Sequence, residues 1–482
     1  MTDVVGHYIA GNWTGSEPAF ASVNPARPDE EVAYVAVATS DDVDDAFTAA
    51  SLAQPAWSAV PGPARGQILR CAAALVEQHR AELELLITRD QGKTLGEAKG
   101  ELSRTIETLY FHAAQVWAAT GEEFASSKPT EEIRALRFPV GVVGVITPFN
   151  FPLVIAMWKI APALAHGNTV VWKPAEAAPA APAALVRIFE RAGLPPGVLN
   201  LVQGGAEVGA AVAGHAGADA VTFTGSVPVG QTVAASAFAN GIRCQLELGG
   251  HNAAIVLPDA DLERAARECA AGAMLGAGQK CTSTRRLIVH RDVAESFVDA
   301  LRREIDRLHV GDGQLPASDL GPVISDAARE RILAAVEQAQ AEGASVFTGG
   351  RLDSESEGRG GYFLRPTVLT GVMPTFSIAQ EEVFGPVTSV IVAADDDDAF
   401  RIANSTAFGL STAIFTKSIE RIRHAVRELD VGVLHVNNQT TGAEPHVPFG
   451  ARRGSSLAGS PSEQGATARD FYTWVKTVYG EP

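Results

Sequence analysis

Cysteine is scarce in this sequence, with 4 among 482 residues, and the positions lie far apart: Cys71, Cys244, Cys269 and Cys281. None belongs to a CxxC pair or to a cysteine–histidine pair. Disulfide-rich secreted domains and structural zinc sites both need clustered thiols. We therefore expect neither a disulfide framework nor a metal site, and each cysteine is either a packing residue or a reactive thiol.

Positive charge is also in short supply. The chain has 39 lysine and arginine residues against 56 aspartate and glutamate residues, which gives a formal net charge of −17. Binding to nucleic acid requires a basic surface that can neutralise phosphates. We therefore expect no nucleic-acid partner.

Long uninterrupted hydrophobic runs are missing as well. The first residues, MTDVVGHYIAGNW, have no basic region followed by an apolar run, so no secretory signal peptide is expected. Residues 141–172 are strongly apolar but are interrupted by Pro148, Asn150, Pro152, Lys159 and Pro162. A membrane span with so many breaks is unfavourable. The pattern favours a buried strand, loop, helix and strand, and a cytoplasmic protein that binds no membrane.

The sequence does contain a regular alternation of strand and helix patterns. Residues 64–120 have the periodicity of amphipathic helices. From residue 140, short apolar strands alternate with alanine-rich helices as far as QLELG, and a second alternating series begins near residue 252 and ends at GVLHVN. Such alternation predicts an α/β fold with a doubly wound parallel sheet, followed by a second α/β domain.

Two segments, 122–139 and 467–482, fit neither series. The second contains DFYTWVKTVYG, which we expect to form a period-2 strand around residues 471–479. An exposed strand at a chain end often pairs with another subunit. The alternative is an ordinary surface strand.

Two strand–turn–helix junctions are candidates for phosphate binding. VQGGAEVG contributes Gly205 and Gly209, and FTGSVPVG contributes Ser226 at a helix start. A helix N-terminus has free N–H groups and the positive end of the helix dipole, which suit a pyrophosphate. Glycine alone is weak evidence, because it also serves tight turns.

A third junction, WKPAE, places Lys173 and Glu176 at the carboxyl end of a strand, where open α/β sheets bind ligands. With three junctions on one sheet, dinucleotide binding is the better interpretation. The Glu176 carboxylate could accept hydrogen bonds from an adenosine ribose and would repel a 2′-phosphate, which favours NAD over NADP. The alternative is a solvated acid on a loop.

Three reactive side chains follow predicted strands or lie in loops. Cys281 lies in GAGQKCTSTRR, Asn150 in TPFNFP and Glu247 in LELGGHN. They are candidates for a nucleophile, an oxyanion donor and a base. Each has a structural explanation when taken alone, but the combination favours catalysis.

These motifs resemble those of a known family. TPFNFP, WKPAE, FTGS, LELGG, GQKC, EEVFGP and PFG occur in the order and spacing of the NAD(P)-dependent aldehyde dehydrogenase superfamily, over essentially the whole chain. The resemblance implies a Rossmann-like cofactor domain, a catalytic domain and a small β oligomerisation domain, and with it a homodimer or homotetramer. The expected boundaries are 1–121 with 140–249 for the cofactor domain, 250–437 for the catalytic domain, 122–139 with 467–482 for oligomerisation, and 438–466 for a substrate-loop segment returning to the cofactor domain.

The resemblance also implies roles. Cys281 attacks the aldehyde carbonyl, Asn150 and the Cys281 backbone N–H hold the oxyanion, and Glu247 activates the water that releases the acid from a thioester. The implied cofactor is NAD, with NADP as the alternative. The expected cofactor-binding residues are Lys173, Glu176, Gly205, Gly209, Ser226, Glu382 and Phe384. Lys159 and Glu463 match a candidate proton relay.

The substrate pocket implied by the resemblance is apolar and aromatic: Phe151, Val154, Ile155, Trp158, Thr282, Phe449 and the loop 437–449. The loop contains Glu444 but no lysine or arginine, whereas a substrate carboxylate would want a cation. We therefore expect an uncharged aromatic aldehyde such as vanillin or benzaldehyde. The alternative is a semialdehyde, because GQKCT and TTGAEPHVPFGARRGSS also resemble 2-oxoglutarate semialdehyde dehydrogenases, and Arg285 or Arg286 could then serve the anion.

A cofactor-independent cysteine hydrolase is a further alternative, with His251 or His446 as its base, but it leaves the cofactor junctions unexplained. The chain departs from the common family pattern at His251, Ala451 and Ser462, where lysine, glycine and arginine are usual. None of these three positions is a reacting group.

Overall fold

The structure is a computed structural model that describes residues 4–15, 17, 19–350, 360–456 and 460–480. The other residues of the expected domains, including 457–459 of the substrate-loop segment and 481–482 of the oligomerisation segment, lie outside the described residues.

The described strands, in chain order, have the following bounds. The first half contains β1 (Val4–Val5), β2 (His7–Ile9), β3 (Asn12–Thr14), β4 (Phe20–Asn24), β5 (Arg27–Val35), β6 (Gly121–Phe124), β7 (Glu132–Pro139), β8 (Val142–Ile146), β9 (Thr169–Lys173), β10 (Leu199–Leu201), β11 (Ala220–Thr224) and β12 (Arg243–Glu247). The second half contains β13 (Asn252–Val256), β14 (Thr284–His290), β15 (Ser345–Thr348), β16 (Thr367–Thr370), β17 (Val387–Ala393), β18 (Phe408–Gly409), β19 (Ser411–Phe415), β20 (Val433–Val436), β21 (Arg452–Arg453) and β22 (Thr473–Gly480).

The described α-helices alternate with these strands. The first half contains α1 (Ser40–Ala59), α2 (Gly62–Gln78), α3 (Arg80–Gln91), α4 (Leu95–Gln115), α5 (Val154–Ala165), α6 (Ala180–Arg191), α7 (Ala206–Gly214) and α8 (Val227–Ala239). The second half contains α9 (Leu262–Met274), α10 (Ala294–Ile305), α11 (Asp326–Ala341), α12 (Ser377–Gln380), α13 (Asp396–Ala403), α14 (Ile419–Glu428) and α15 (Ala468–Tyr472).

The first large sheet has seven strands in the order β12-β11-β8-β9-β10-β2-β3. The strands from β12 to β10 are parallel, and β2 and β3 complete the edge in the antiparallel sense. The chain runs from β8 outward through β9 to β10 and then returns to place β11 on the other side of β8. A ligand site is expected outside the carboxyl ends of β8 and β11, where the strand order reverses.

The second large sheet also has seven strands, in the order β15-β16-β17-β14-β13-β19-β20. Every pair of neighbouring strands in this sheet is parallel except β15 and β16, which are antiparallel. The predicted α/β architecture with two strand–helix series is therefore confirmed.

Helices pack on both faces of the first sheet. Residues 141–172 form β8, α5 and β9, and nearly every side chain of α5 is buried, because this helix lies between the sheet and α4. Among the described helices, none combines the length and the apolar character that crossing a bilayer requires.

The region predicted as helical from residue 64 consists of α2, α3 and α4. The sequence pattern did not reveal α1, which begins in a capping box where Thr39 and Asp42 exchange hydrogen bonds. It also did not reveal the short N-terminal strands.

The third sheet has three antiparallel strands in the order β22-β7-β6. The strand expected around residues 471–479 exists, but Phe471 and Tyr472 do not belong to it. Phe471 and Tyr472 lie in α15 and are fully buried against the first sheet, with 0% and 1% exposure. The strand starts at Thr473, and the side chains that follow Thr473 are exposed.

Candidate active site

Two cavities meet at Cys281. The first, called here the sheet-edge cavity, has a volume of about 310 Å³ and lies at the carboxyl ends of β8, β11 and β12. Its walls include Phe149, Asn150, Ser226, Gly249, Cys281, Glu382 and Phe384. The second, called the helix cavity, has a volume of about 230 Å³ and lies between α4, α5 and the loop 441–449. Cys281 and Ile155 line both cavities, so Cys281 lies where the two cavities meet.

The backbone before Cys281 has an unusual conformation. Gly276, Ala277 and Gly278 have φ values of 71°, 51° and 63°, which place three successive residues in the left-handed region. Glycine adopts this conformation without penalty, whereas Ala277, which carries a Cβ, adopts it at an energetic cost. A side chain at Gly278 would also collide with the Gly385 carbonyl. The small residues of GAGQKC therefore fold a tight turn that presents Cys281.

The Cys281 backbone is held by Asn252, a residue that sequence reasoning did not identify. The Asn252 amide donates to the carbonyls of Cys281 and Ser283 at 2.7 and 2.9 Å, and its oxygen accepts from the Ser411 N–H at 3.0 Å. The only sequence signal was its place directly after LELGGH. This network ties the thiol-bearing loop to β13 and β19.

The Cys281 thiol is protonated at neutral pH. Burial raises its pKa to about 12, and the carboxylates of Glu382 and Glu247 raise it further because they disfavour a nearby thiolate. A base or a positive charge must therefore act on Cys281 before it can serve as a nucleophile.

Asn150 lies beside Cys281 on the wall of the sheet-edge cavity and is buried. One hydrogen of its side-chain amide is donated to the Gln279 carbonyl at 2.8 Å, which leaves the second hydrogen for another acceptor. The backbone carbonyl of Asn150 accepts from Lys93 Nζ at 2.7 Å.

Lys93 is in turn paired with Glu101 at 2.6 Å, and both side chains are buried. Glu101 also accepts from the N–H groups of Leu153 and Val154 at the start of α5, at 2.9 and 3.2 Å. This buried ion pair fixes the TPFNFP segment. Sequence reasoning missed it because both residues belong to the helical region 64–120, outside the quoted motifs.

Glu247, Glu463 and Lys159 form a buried acid–base cluster. In the described part of the chain, neither carboxylate oxygen of Glu247 has a hydrogen-bond partner. Burial, followed by the charge of Glu463, raises the pKa of Glu247 well above its usual range, while Lys159 opposes the shift. Lys159 is ion-paired with Glu463 and donates to Thr222 at 3.0 Å. The residues expected to form a base and a proton relay are thus brought together.

The sheet-edge cavity is shaped by glycine. A side chain at Gly249 would collide with the Glu382 carboxylate, and one at Gly250 would collide with the Cys281 carbonyl. Glu382 accepts from the Gly250 N–H at 3.1 Å, and burial raises its pKa to about 7. The glycines of LELGG therefore make room for Glu382 and Cys281.

Phe384 lies on the same wall in a left-handed conformation with φ of 55°, which is rare for an aromatic residue. The rings of Phe384 and Phe149 are arranged edge to face, with their centroids 6.0 Å apart. The Arg285 guanidinium lies 5.9 Å from the centroid of the Phe384 ring. Ser226 occupies the N-cap position of α8, but its hydroxyl forms no capping hydrogen bond and lines the cavity instead.

The other expected cofactor residues lie at the next part of the same sheet edge. Lys173 ends β9 and is buried, which lowers its pKa, while Glu176 is exposed in the following loop. Gly205 is the N-cap of α7 and lines a separate open cavity with residues 37–40. A side chain at Gly205 would collide with the Glu176 carboxylate, whereas one at Gly209 would only touch Lys173 at 3.9 Å.

All the expected substrate-pocket residues line the helix cavity: Phe151, Val154, Ile155, Trp158, Thr282 and Phe449. The rings of Trp158 and Phe449 lie 5.3 Å apart. The cavity also contains Arg104 from α4 and Lys280, two cations that sequence reasoning did not count because it considered only the loop 437–449. Lys280 could have been found from its place next to Cys281. Arg104 had no local signal.

Arg285 and Arg286 were wrong as candidates for an anionic substrate. Both are buried and donate to backbone carbonyls: Arg285 to Gly278 and Gly385, and Arg286 to His251, Ile402 and Ala403. They stabilise loops beneath the site. His251 and His446, the bases of the hydrolase alternative, are absent from the described walls of both cavities.

Known proteins resemble this chain in sequence and in structure. A model of the aldehyde dehydrogenase family matches residues 13–478 of this chain. The chain is 41% identical over 479 residues to the alpha-ketoglutaric semialdehyde dehydrogenase of Bacillus subtilis, covering 99% of this chain and 98% of that protein. It is 37% identical over 461 residues to the vanillin dehydrogenase of Corynebacterium glutamicum, covering 94% of each chain.

Among solved structures, the betaine aldehyde dehydrogenase of Staphylococcus aureus, in complex with NAD+, is similar with a TM-score of 0.94. The sequences are 33% identical, and the match covers 99% of this chain and 94% of that chain.

Proposed function

The chain belongs to the aldehyde dehydrogenase family, and from this premise we propose that it uses NAD to oxidise a carboxylate-bearing aldehyde, a semialdehyde such as 2-oxoglutarate semialdehyde, to the dicarboxylic acid. The observation that carries the proposal is the position of Cys281. It lies between a cavity lined by Ser226 and Glu382 and a second cavity that contains two cations.

Cys281 is the proposed nucleophile. Its sulfur adds to the aldehyde carbon, and the thiol proton passes to Glu247, directly or through a water molecule, as the thiohemiacetal oxyanion forms. The free Asn150 amide hydrogen and the Cys281 backbone N–H would donate to the developing oxyanion. Removing one such donor typically costs about 3–4 kcal/mol of transition-state stabilisation.

Glu247 is the proposed base for releasing the acid. A carboxyl group with a raised pKa can take a proton from water and return it, and the neighbouring Glu463–Lys159 pair offers a route for that proton. Loss of a hydride from the thiohemiacetal carbon to the nicotinamide cofactor would leave a thioester on Cys281. Water would then add to this thioester, and the Cys281 thiol would leave as the carboxylic acid forms.

The sheet-edge cavity fits a nicotinamide nucleotide. It combines an uncapped helix N-terminus at Ser226, a buried carboxylate on Glu382 and an aromatic wall at Phe384. Lys173, Glu176 and the N-terminus of α7 at Gly205 would hold the adenosine half. Bound there, NAD supplies the hydride acceptor and, in its oxidised ring, a positive charge. A positive charge beside Cys281 lowers the pKa of its thiol.

The semialdehyde is favoured over the aromatic aldehyde for two reasons. The relative with 41% identity is named for a semialdehyde, whereas the vanillin dehydrogenase has 37% identity. In addition, Arg104 and Lys280 line the helix cavity, so other elements provide the cation that the loop 437–449 lacks. An aromatic aldehyde is kept as a second candidate, because Trp158 and Phe449 could enclose a ring.

The test is a comparison of kcat/KM for 2-oxoglutarate semialdehyde, succinic semialdehyde, vanillin, benzaldehyde and hexanal, read as NADH absorbance. We expect the semialdehydes to have the highest values. Higher values for vanillin or benzaldehyde would establish the second candidate instead.

The same assay tests Cys281. Cys281→Ala should abolish turnover without loss of NAD binding. The matched control is Cys269→Ala, at a buried thiol of α9, which should retain turnover. Turnover of more than about a few per cent in Cys281→Ala would contradict covalent catalysis.

A further inference from the structure

Arg104 and Glu444 connect two distant parts of the chain beside the helix cavity. Arg104 lines both the helix cavity and a neighbouring open cavity of about 430 Å³, whereas Glu444 lines the open one of these two. Arg104, on α4, donates from Nη2 to Glu444 Oε1 and from Nη1 to Glu444 Oε2, both at 2.7 Å. Nη1 also donates to Glu107 at 2.8 Å. Both side chains of the Arg104–Glu444 pair are about half exposed, at 42% and 50%. The two-donor edge of the guanidinium is therefore occupied by a carboxylate from the chain itself.

We propose that Arg104 binds the distal carboxylate of the substrate and that Glu444 holds this position in the free enzyme until the substrate displaces it. This assignment rests on the proposed function, in which the substrate is a semialdehyde. The bidentate pair has the geometry in which arginine binds any carboxylate, so the Glu444 side chain marks where a substrate carboxylate fits.

The location of Arg104 supports this role. Arg104 lines the same cavity of about 230 Å³ as Cys281. The loop that carries Glu444 also forms the cavity wall at Thr441, Gly442 and Ala443. Gly442 has a φ of 122°, a conformation that side-chain-bearing residues rarely adopt, and a side chain there would meet no neighbour within 4 Å. The loop is therefore unpacked on the outer side of Gly442, and the Glu444 side chain that follows is half exposed.

Lys280 is the competing cation, and its geometry is less suitable. Its side chain runs toward Gly276, where an added Cβ would lie 2.8 Å from Lys280 Cε and 3.7 Å from Nζ. The charge of Glu97 acts on the same ammonium. Because Lys280 directly precedes Cys281, an anion bound there would also lie close to the reacting carbon. Arg104 is separated from Cys281 in sequence and belongs to another wall.

Replacement of Glu444 by the substrate carboxylate on Arg104 accounts for discrimination between charged and neutral aldehydes. An exposed ion pair is weak, so releasing Glu444 costs a charged substrate little. The substrate carboxylate then makes the same two hydrogen bonds, and the released Glu444 carboxylate, which is already half exposed, is solvated by water. A neutral aldehyde of equal length cannot replace Glu444, so it gains nothing from Arg104. The selectivity should appear mainly in KM.

The test compares kcat and KM for 2-oxoglutarate semialdehyde and for pentanal, which has the same number of carbons and no carboxylate. Arg104→Met should lower the ratio of the two kcat/KM values roughly threefold to fivefold, through a higher KM for the semialdehyde. Arg104→Lys should retain part of the ratio, because it keeps the charge but not the fork. Glu444→Gln should lower the KM for the semialdehyde by roughly threefold, because the competing charge is gone.

Arg303→Met is the matched control, since Arg303 forms a similar exposed pair with Glu263 at 2.7 Å away from both cavities, and its ratio should not change. The role of Arg104 would be refuted if Arg104→Met left the ratio of the two kcat/KM values unchanged, or if kcat/KM fell equally for both aldehydes. Either result would leave the proposed substrate class intact. If the unmodified enzyme does not prefer the semialdehyde over pentanal, the proposed substrate class itself fails.

Discussion

The charges around Cys281 oppose its reaction in the free enzyme. Two carboxylates, Glu382 and Glu247, raise the pKa of the thiol, and burial does the same. Glu382 has a pKa of about 7, so its charge appears within the physiological range. The resting thiol is therefore protected from unwanted chemistry, and its reactivity depends on the state of its neighbours.

Replacing Glu382 should make Cys281 more reactive toward an alkylating agent. In Glu382→Gln the larger of the two carboxylate effects on the thiol is removed, so the pKa of Cys281 falls and the thiolate fraction at pH 8–9 rises by roughly threefold to tenfold. Below pH 7, Glu382 is protonated in the unmodified enzyme, and the two proteins should react at similar rates. The measurement is the rate of iodoacetamide labelling of the Cys281 peptide by mass spectrometry across pH.

Glu381→Gln is the control for this experiment, because Glu381 is the exposed neighbour of Glu382. Equal labelling of Cys281 at pH 9 in Glu382→Gln and the unmodified protein would refute the electrostatic account.

At the scale of single residues, short motifs were enough to nominate the candidate site. Cys281, Asn150 and Glu247 were each identified from a few flanking residues, and the structure brings Cys281 and Asn150 onto one wall. Arg104 could not be found this way, because it lies on a helix whose periodicity also explains an ordinary exposed arginine. Only the packing of α4 beside the loop 441–449 reveals its position.

At the scale of elements, the buried pair Lys93–Glu101 connects α4 to the segment that carries Asn150. Lys93 donates to the Asn150 backbone carbonyl, and Glu101 accepts from the first N–H groups of α5. The pair therefore orients Asn150, the proposed oxyanion donor, through its backbone.

Removing only Lys93 should destabilise the folded protein more than removing the charges of both Lys93 and Glu101. Lys93→Met leaves Glu101 buried and unpaired, which typically destabilises a protein by about 3–5 kcal/mol. Lys93→Met combined with Glu101→Gln keeps an acceptor for Leu153 and Val154 but leaves no charge, so part of the stability should return. In both variants kcat should fall while the KM for NAD changes little, because the Asn150 backbone carbonyl has lost its donor.

Thermal unfolding and steady-state kinetics measure these effects. Lys99→Met, at an exposed position of the same helix, is the control and should have an unchanged melting temperature. If the single and double variants melt at the same temperature, charge compensation is not what the pair provides.

The elements themselves were predicted best where the pattern was long and regular. The strands and helices from β8 to β12 follow the sequence pattern closely, because buried parallel strands are continuous apolar runs bounded by helices. The start of β22 was misplaced because Phe471 and Tyr472 continue the alternation of the strand, although tertiary packing draws them into a helical turn against the first sheet.

For the whole molecule, the sheet β22-β7-β6 presents a free edge. Within the described residues, strand β22 pairs only with β7 and forms the edge of this sheet. Its apolar side chains are exposed, at 39% for Trp474, 49% for Val475 and 65% for Tyr479. An edge strand with free backbone groups and exposed rings is a typical surface for pairing with another chain. We therefore expect a dimer or a dimer of dimers.

Two truncations separate assembly from folding. A chain that ends at Gly465 loses Phe471 and Tyr472 from the core, along with the carbonyls that accept from Asn168 and Arg243, so it should not fold. A chain that ends at Tyr472 keeps those contacts and loses only β22. It should fold, with normal circular dichroism, but should elute as a monomer. Light scattering after size exclusion measures the mass of each species. A monomeric full-length protein, or an oligomer that persists without β22, would refute pairing through this strand, since β22 supplies both the free edge and the exposed rings.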